Sequence, residues 1–319
     1  MMTFRDLAAN RWFGRLLLIF FLGGAVFLVV KNPLQYDALF RLGVGDATAL
    51  LAVNAVSFFV TGLVSWHLLK AVGASISLST IVALTFLANF LNYFGPAQPG
   101  MGAKALYLKS ARNVRFVDFG IATGTNALIM TMVSGLVGVA VVAWKWGAEG
   151  VRFVELGVLS VTMVLIVFAC PLFFAIAKNS SIIPNRWSGK IEDAMAGFIR
   201  LWRKYDAMAT SVALVALQYS VSGLAIWMCY RAIGADIGYP LAFLIAAFLS
   251  VANILPLTPN NVGVSEILVG MITQLSGAGF SDGLVAGAFM RASHLIISVL
   301  AMPYASWQLR ARPKDDFII

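Results

Sequence analysis

Long apolar runs separated by short charged clusters constrain this chain more than any other feature of its sequence. A transmembrane helix needs roughly 20 consecutive apolar residues to cross a hydrocarbon core of about 30 Å. The chain is 60% hydrophobic and 12% charged, whereas a soluble domain carries about 25% charged residues. We therefore predict an all-α polytopic membrane protein. About six full spans are expected, at 13–30, 48–69, 118–144, 153–177, 207–230 and 284–309.

Basic residues produce a formal net charge of +9, and they lie beside the apolar runs, where membrane topology places them. This distribution argues against nucleic-acid binding. Cys170 and Cys229 both lie inside apolar runs, so neither a disulfide framework nor a Cys-x-x-Cys metal site is expected. The apolar stretch 16–30 is not followed by a small-x-small cleavage motif, which predicts an uncleaved first span.

Two further apolar stretches, 78–94 and 240–257, are shorter, and each ends in a Pro/Gly-rich break. A second short helical segment follows each break, at about 100–109 and 262–276. If each pair of segments forms a re-entrant hairpin, every basic cluster falls on one side of the membrane, as the positive-inside rule requires. The alternative is that the breaks are ordinary loops between short helices. The basic side, expected to be cytoplasmic, carries the N-terminus, the 104–115 loop, the 178–206 loop and the Arg310/Arg312/Lys314 tail.

This topology relates two halves of the chain by inversion. Repeat A, about 48–144, contains a crossing, a hairpin from inside and a crossing, while repeat B, about 207–309, has its hairpin from outside. Inverted repeats whose broken helices meet near the midplane are typical of transporters. We expect the whole chain, 1–319, to form a single transmembrane domain. A weak sequence echo supports the repeat: Asn92, Pro99, Gly102 and Lys104 recur as Asn253, Pro259, Gly263 and Ser265-Glu266.

The stretch 188–205 has an amphipathic pattern, with its basic residues outside the apolar face. Such a helix on the cytoplasmic side is expected to lie in the interface against anionic headgroups. The alternative is a solvated helix that links the two halves. The apolar face comprises Ile191, Met195, Phe198, Trp202 and Tyr205.

Ionisable residues within the apolar segments are candidate site residues, because burying a charge in hydrocarbon is expensive. Glu266 follows the second break, and Arg291 lies inside the last predicted span. We expect these opposite charges to pair with each other or with a charged substrate group, and a purely structural ion pair is the alternative. Lys104, in the first hairpin, could meet a lipid phosphate, but we expect it to extend to the cytoplasmic surface.

Neutral hydrogen-bonding side chains cluster around the two breaks, where they could contact a polar headgroup or cap the broken helices. His294 could relay a proton or simply pack between helices. No nucleophile elbow, phosphate-binding loop or zinc-protease helix occurs in the sequence, so we expect no enzymatic activity, cofactor or metal. The neutral candidates are Asn89, Asn92, Asn253, Thr258, Asn260 and Asn261.

These motifs resemble the flippase-like family that includes the transmembrane region of lysylphosphatidylglycerol synthases, the multiple peptide resistance factors. The resemblance lies in the stretch 92–112 and, more specifically, in 256–266. The second stretch is similar to a Pro-x-x-Pro-Gly-Gly-x-Gly-x-x-Glu pattern, with Asn260 and Asn261 at the positions of two glycines and Glu266 as the acidic residue. The first resembles Pro-Gly-x-x-Gly-Glu, but Lys104 or a neighbouring alanine replaces the acidic residue.

The resemblance implies lipid translocation or lipid handling, without the aminoacyl-transferase domain. We expect a multi-pass transporter of the cytoplasmic membrane, with both termini cytoplasmic, that moves a lipid with an anionic or polar headgroup between leaflets. Its expected partners are membrane lipids, and it could form a homo-oligomer. One alternative is an ion- or proton-coupled transporter of a small polar solute. Another is a non-transporting accessory subunit of a lipid-modifying system.

Overall fold

The computed structural model describes residues 43–94, 98–149, 154–179, 185–254 and 258–310. Throughout these ranges the regular structure is helical, and no strand occurs in them. The described part of the chain is therefore all-α, and its long apolar helices are those of a multi-pass membrane protein. Its helices are α1 Val44–Ala71, α2 Leu78–Leu91, α3 Pro99–Arg112, α4 Phe116–Glu149, α5 Val154–Asn179, α6 Asn185–Trp202, α7 Tyr205–Ala232, α8 Tyr239–Ala252, α9 Val264–Leu275, α10 Phe280–Leu300 and α11 Met302–Arg310.

Four helices in the described ranges are long and apolar enough to cross a membrane: α1, the Phe116–Trp144 part of α4, α7 and α10. The first three coincide with the predicted spans 48–69, 118–144 and 207–230. The predicted span 13–30 lies outside the described residues. Helix α5 covers the predicted span 153–177 and has a shorter apolar stretch, Val154–Ala169, so a full crossing there stays a prediction.

The predicted last span, 284–309, is wrong in its limits. Helix α10 already begins at Phe280 and ends at Leu300, and a separate helix, α11, follows from Met302. The break has a local cause, because Pro303 has no backbone N–H to donate and its ring would clash with the carbonyl four residues earlier. Helix α11 instead contacts α2, where Gln308 donates a hydrogen bond to the Ser79 hydroxyl over 2.8 Å.

The outer surface of α5 is apolar, as lipid contact requires. Val158, Leu165 and Phe168 are 62%, 60% and 71% exposed. A soluble protein rarely exposes large apolar side chains together in this way. In hydrocarbon these apolar side chains contact lipid and not water, so their exposure agrees with a membrane location.

The short helices α2, α3, α8 and α9 form two hairpins around the predicted breaks. Helices α2, α3 and α8 have 14 residues each and α9 has 12, so each is about 18–21 Å long and shorter than the roughly 30 Å hydrocarbon core. A 3₁₀ turn, Asn92–Phe94, follows α2, and another, Pro259–Asn261, precedes α9. Both ends of the first hairpin approach α11, because Tyr107 hydrogen-bonds Leu309 while Ser79 contacts Gln308.

The first two helices of each half of the chain have matching limits. Helix α7 begins and ends 161 residues after α1, and α8 begins and ends 161 residues after α2. The first residues, for example, are Val44 and Tyr205 for α1 and α7, and Leu78 and Tyr239 for α2 and α8. The turn between each pair contains a glycine with positive φ, Gly73 at 97° and Gly234 at 76°. The two connections therefore have the same local construction.

Packing within the two halves follows the same correspondence. A Cβ atom on Gly62 would lie 2.9 Å from Val82 Cγ2, and one on Gly223 would lie 2.9 Å from Phe243 Cα. In both halves, therefore, the second helix packs directly against a glycine of the first. The cation–π pairs Trp66–Lys70 and Trp227–Arg231 correspond in the same way.

The corresponding helices α1 and α7 lie side by side in opposite directions. Lys204, just before α7, donates to the Ala71 carbonyl at the end of α1 over 2.7 Å. Nearer the middle, the Ser57 and Ser222 hydroxyls are 2.8 Å apart. Residues further along α7 therefore contact residues nearer the start of α1, as in an antiparallel helix pair.

Helix α6 differs in position from the predicted amphipathic segment 188–205, because it spans Asn185–Trp202 and Tyr205 begins α7. One side of α6 packs on the protein, since Leu201 is 2% exposed and a Cβ on Gly197 would overlap Ile121 of α4. Ile199, by contrast, is 48% exposed. Placement of α6 in the membrane interface stays a prediction.

Candidate functional site

A polar cavity of about 370 Å³ lies among α1, α2, α3, α4, α7, α8, α9 and α10. Its position in an apolar bundle is unusual, because polar groups are costly in hydrocarbon unless they have hydrogen-bond partners. Thr258 and Glu266 are not among the described residues that line it. Six of the eight predicted site residues do line it: Asn92, Lys104, Asn253, Asn260, Asn261 and Arg291.

The cavity adjoins the place where the two breaks meet. The 3₁₀ turns of the two hairpins are in contact, and Tyr93 of the first turn and Asn260 of the second both line the cavity. Gln98 also donates to the Asn253 carbonyl over 2.5 Å. The hairpins thus hold each other through polar groups at their tips, which places the residues of both breaks around one cavity.

Close packing and a side-chain cap shape the first break. The Asn92 side-chain oxygen accepts a hydrogen bond from the Gly100 backbone N–H over 2.9 Å. This contact satisfies one of the N–H groups that the first turn of α3 leaves without a helical partner. A side chain at Gly100 would collide with the Ala88 carbonyl, so α3 can approach α2 this closely only with glycine there. The capping role considered for Asn92 is confirmed.

Left-handed backbone conformations shape the second break. Asn260 and Asn261 have φ values of 47° and 52°, and Gly263 has 84°. Among residues other than glycine, asparagine is one of the few that adopts this region readily. The two asparagines therefore preserve a backbone shape that glycines would also permit. The Asn261 amide donates to the Asn253 side-chain oxygen over 3.1 Å, and the Thr258 hydroxyl donates to the Val262 carbonyl over 2.8 Å.

Glu266 and Arg291 form an ion pair, as the sequence predicts. Arg291 Nε donates to Glu266 Oε1, while Nη1 and Nη2 donate to the carbonyls of Asn260 and Asn261 over 2.8 and 3.0 Å. Glu266 Oε2 also accepts from the Gly263 N–H over 2.8 Å. The guanidinium therefore ties α10 to the second break, and most of its donors are already used.

Lys104 is buried, and the expectation that it extends to the cytoplasmic surface is wrong. Lys104 is 6% exposed. The ammonium donates to Ser65 Oγ over 2.9 Å and to Thr85 Oγ1 over 3.4 Å. These hydroxyls of α1 and α2 supply acceptors inside the bundle, so the side chain has partners there without reaching water.

A row of hydroxyls on α1 also lines the cavity, and the sequence reasoning missed it. Ser57, Thr61 and Ser65 recur every fourth residue, which places them on one helical face, and Ser222 of α7 meets Ser57. The sequence criteria selected ionisable residues and residues near the breaks, and these small hydroxyls met neither criterion. Their four-residue spacing within an apolar span is a signal that could have found them.

The histidines have separate surroundings. His294 lines the cavity, with its ring centroid 5.1 Å from that of Phe58. His67 Nε2 lies 3.2 Å from the Ala207 carbonyl. Among the residues that the structure describes, no group of three or more His, Cys, Asp or Glu side chains is placed to hold a metal ion.

Comparison with known proteins identifies the family. A search of curated proteins finds no match for the chain. A family model described as the lysylphosphatidylglycerol synthase transmembrane region matches residues 12–301. The match includes both breaks and all eight predicted site residues. The chain therefore belongs to the family of lysylphosphatidylglycerol synthase transmembrane regions.

Proposed function

We propose that this protein is a flippase-like transporter that moves a lipid with a polar headgroup between the leaflets of the membrane. The polar cavity inside an apolar bundle is the observation that carries the proposal. A headgroup in this cavity would exchange water for hydroxyl, amide and ammonium groups, which lowers the cost of its passage through hydrocarbon. Membership of a family tied to lipid metabolism or transport gives independent support. The role we assign is transport and not catalysis.

We infer that the two halves form an inverted repeat with re-entrant hairpins. The inference is supported by the antiparallel contacts of α1 with α7 and by the offset of 161 residues that relates α7 and α8 to α1 and α2. Transporters of this kind place broken helices around the substrate, because unwound backbone is tolerated only where it lines a cavity or is buried in protein. The two breaks here adjoin the cavity in that way.

The site residues divide into two proposed roles. Those that line the cavity, including Asn92, Lys104 and Asn253, are placed to contact the headgroup. Glu266 acts through Arg291, which holds the second break in place. Glu266 and Thr258 are therefore proposed as positioning residues.

The proposed orientation places the basic end of the bundle in the cytoplasm, with both termini on that side of the cytoplasmic membrane. Contacts of Lys204 with Ala71 and of Tyr107 with Leu309 gather the basic segments at one end of the bundle. Short loops rich in Lys and Arg favour the cytoplasmic side.

Purified protein in liposomes tests the function directly. Wild-type protein should accelerate exchange of labelled lipids between leaflets. Ala127 of α4 lines the cavity, so Ala127→Trp should fill it and abolish exchange. Leu136→Trp adds the same side chain to the same helix at a position that is 52% exposed, and it should leave exchange unchanged.

Two results with the reconstituted protein would overturn the proposal, one from lipid exchange and one from solute uptake. Wild-type protein that folds but exchanges no lipid would favour an accessory subunit. If such protein instead takes up a small polar solute, and Ala127→Trp blocks the uptake, the solute transporter becomes the better description.

A further inference from the structure

We propose that Lys104 binds a phosphate group of the transported molecule, so that the cavity selects anionic headgroups. This inference rests on the proposed function, because it names the substrate class of the same cavity. Its starting point is the difference between Lys104 and Arg291, the Lys and Arg side chains among the described residues that line the cavity.

The charge of Arg291 is already balanced. Its guanidinium contacts the Glu266 carboxylate and two backbone carbonyls. An incoming anion would have to displace those acceptors or compete with Glu266 for the same donors. Arg291 is therefore poorly placed to serve as the main anion contact.

The partners of Lys104 among the described residues are neutral. Within the part of the chain that the structure describes, no carboxylate lies within salt-bridge distance of its ammonium. The group has three N–H donors, and hydroxyls of Ser65 and Thr85 accept from it. A cation in a low-dielectric site gains far more from a paired anion than it would in water. The structure thus leaves a buried positive charge beside an open volume, with donor capacity remaining.

The rest of the lining suits an anion as well. No Asp or Glu occurs among the described residues that line the cavity. Hydroxyls and amides of α1, α4 and α7 can donate to phosphate oxygens or to hydroxyls of a headgroup. They include Ser57, Thr61, Asn126, Gln218 and Ser222.

The size of the cavity indicates which part of a lipid it could hold. Its volume of about 370 Å³ is near the lower end of ordinary ligand pockets, roughly 300–1,000 Å³. This space suits a phosphate with a small polar substituent and is too small for two acyl chains in addition. We infer that the acyl chains remain in the bilayer while the phosphate occupies the cavity.

Transport with matched lipids tests the inference. Liposomes would carry labelled phosphatidylglycerol, with one negative charge, or labelled phosphatidylcholine, with no net charge, on identical acyl chains. Wild-type protein should move the anionic lipid faster. Lys104→Met should reduce that preference by about tenfold or more, as loss of a charged hydrogen bond implies. Lys109→Met removes the same charge from an exposed position on α3 and should preserve the preference.

A folding defect would not obscure the result. Replacement of a buried cation by an apolar side chain of similar length removes a desolvation cost, so Lys104→Met should unfold no earlier than wild-type protein. Lys104→Gln, which keeps hydrogen bonding without the charge, provides a second variant. It should show the same loss of preference.

Binding to detergent-purified protein separates a lipid phosphate from a free phosphate. Short-chain phosphatidylglycerol should raise the melting temperature of wild-type protein and of Lys109→Met, but not of Lys104→Met. If inorganic phosphate alone produces the Lys104-dependent shift and no lipid is moved, the anion site stands and the lipid transport function fails. If lipid is moved at equal rates regardless of charge, or Lys104→Met keeps the anionic preference, the anion site is overturned while lipid transport stands.

Discussion

The ion pair of Glu266 with Arg291 leads to a quantitative prediction for stability. Loss of one partner from a buried pair typically costs about 3–5 kcal/mol, because the other charge is left uncompensated. The two side chains are 13% and 18% exposed, so we expect Glu266→Gln and Arg291→Met each to lower the free energy of unfolding by about 3 kcal/mol.

The double variant should lose less than the sum of the two single losses. It leaves no unpaired charge, but the Asn260 and Asn261 carbonyls still lack the donors that Arg291 supplies. We therefore expect a total loss of about 3–5 kcal/mol and a coupling energy of about 1–3 kcal/mol.

Denaturant unfolding in detergent micelles, followed by far-UV circular dichroism, measures all four proteins of the cycle. The exposed pair Arg115–Asp118 provides a control, because its N–O distance is 2.7 Å but the Arg115 side chain is 74% exposed. Its neutral variants should show no measurable change. If the Glu266 and Arg291 losses add within about 0.5 kcal/mol, the pair is not energetically coupled and the reasoning is refuted.

Three further predictions follow from the breaks and from the arrangement of the helices. Gly100→Val should lower the melting temperature and cost about 1–3 kcal/mol through overpacking, whereas Gly102→Val, whose Cβ would meet nothing within 4 Å, should have little effect. Asn260→Val should destabilise the protein by about 1–2 kcal/mol more than Asn260→Gly in thermal unfolding, because a β-branched residue resists the left-handed conformation; equal effects would contradict this account. Cysteines placed at Lys109 and Arg200 should react with impermeant reagents from the same, cytoplasmic side, and labelling from opposite sides would exclude the hairpin topology.

The geometry of the second break explains how asparagines can occupy the positions where the resemblance predicts glycines. The second break needs a left-handed backbone at Asn260 and Asn261, not glycine as such. It also needs two carbonyls directed at Arg291. Asparagine provides both and adds an amide that links Asn261 to Asn253. Asparagine can therefore replace glycine at these two positions while the left-handed backbone conformation is kept.

The sequence by itself determined the features that depend on order along the chain. Apolar runs predicted three of the four candidate spans in the described residues with nearly their observed limits, and Pro/Gly-rich segments located both breaks. Burial cost predicted the Glu266–Arg291 pair, because isolated opposite charges in apolar segments need partners. The end of the last span was misjudged, although Pro303 carried a local signal for it.

Tertiary structure decided the surroundings of each polar side chain. Lys104 is buried because hydroxyls of Ser65 and Thr85, on two other helices, supply acceptors. The sequence could not show that those three residues meet, since a helix of known period still has an unknown rotation about its own axis. For the same reason the sequence could not show that Leu201 of α6 packs on the protein while Ile199 is exposed. Hydropathy records how much apolar surface a segment carries, whereas the packing of neighbouring helices decides which face of it becomes a site.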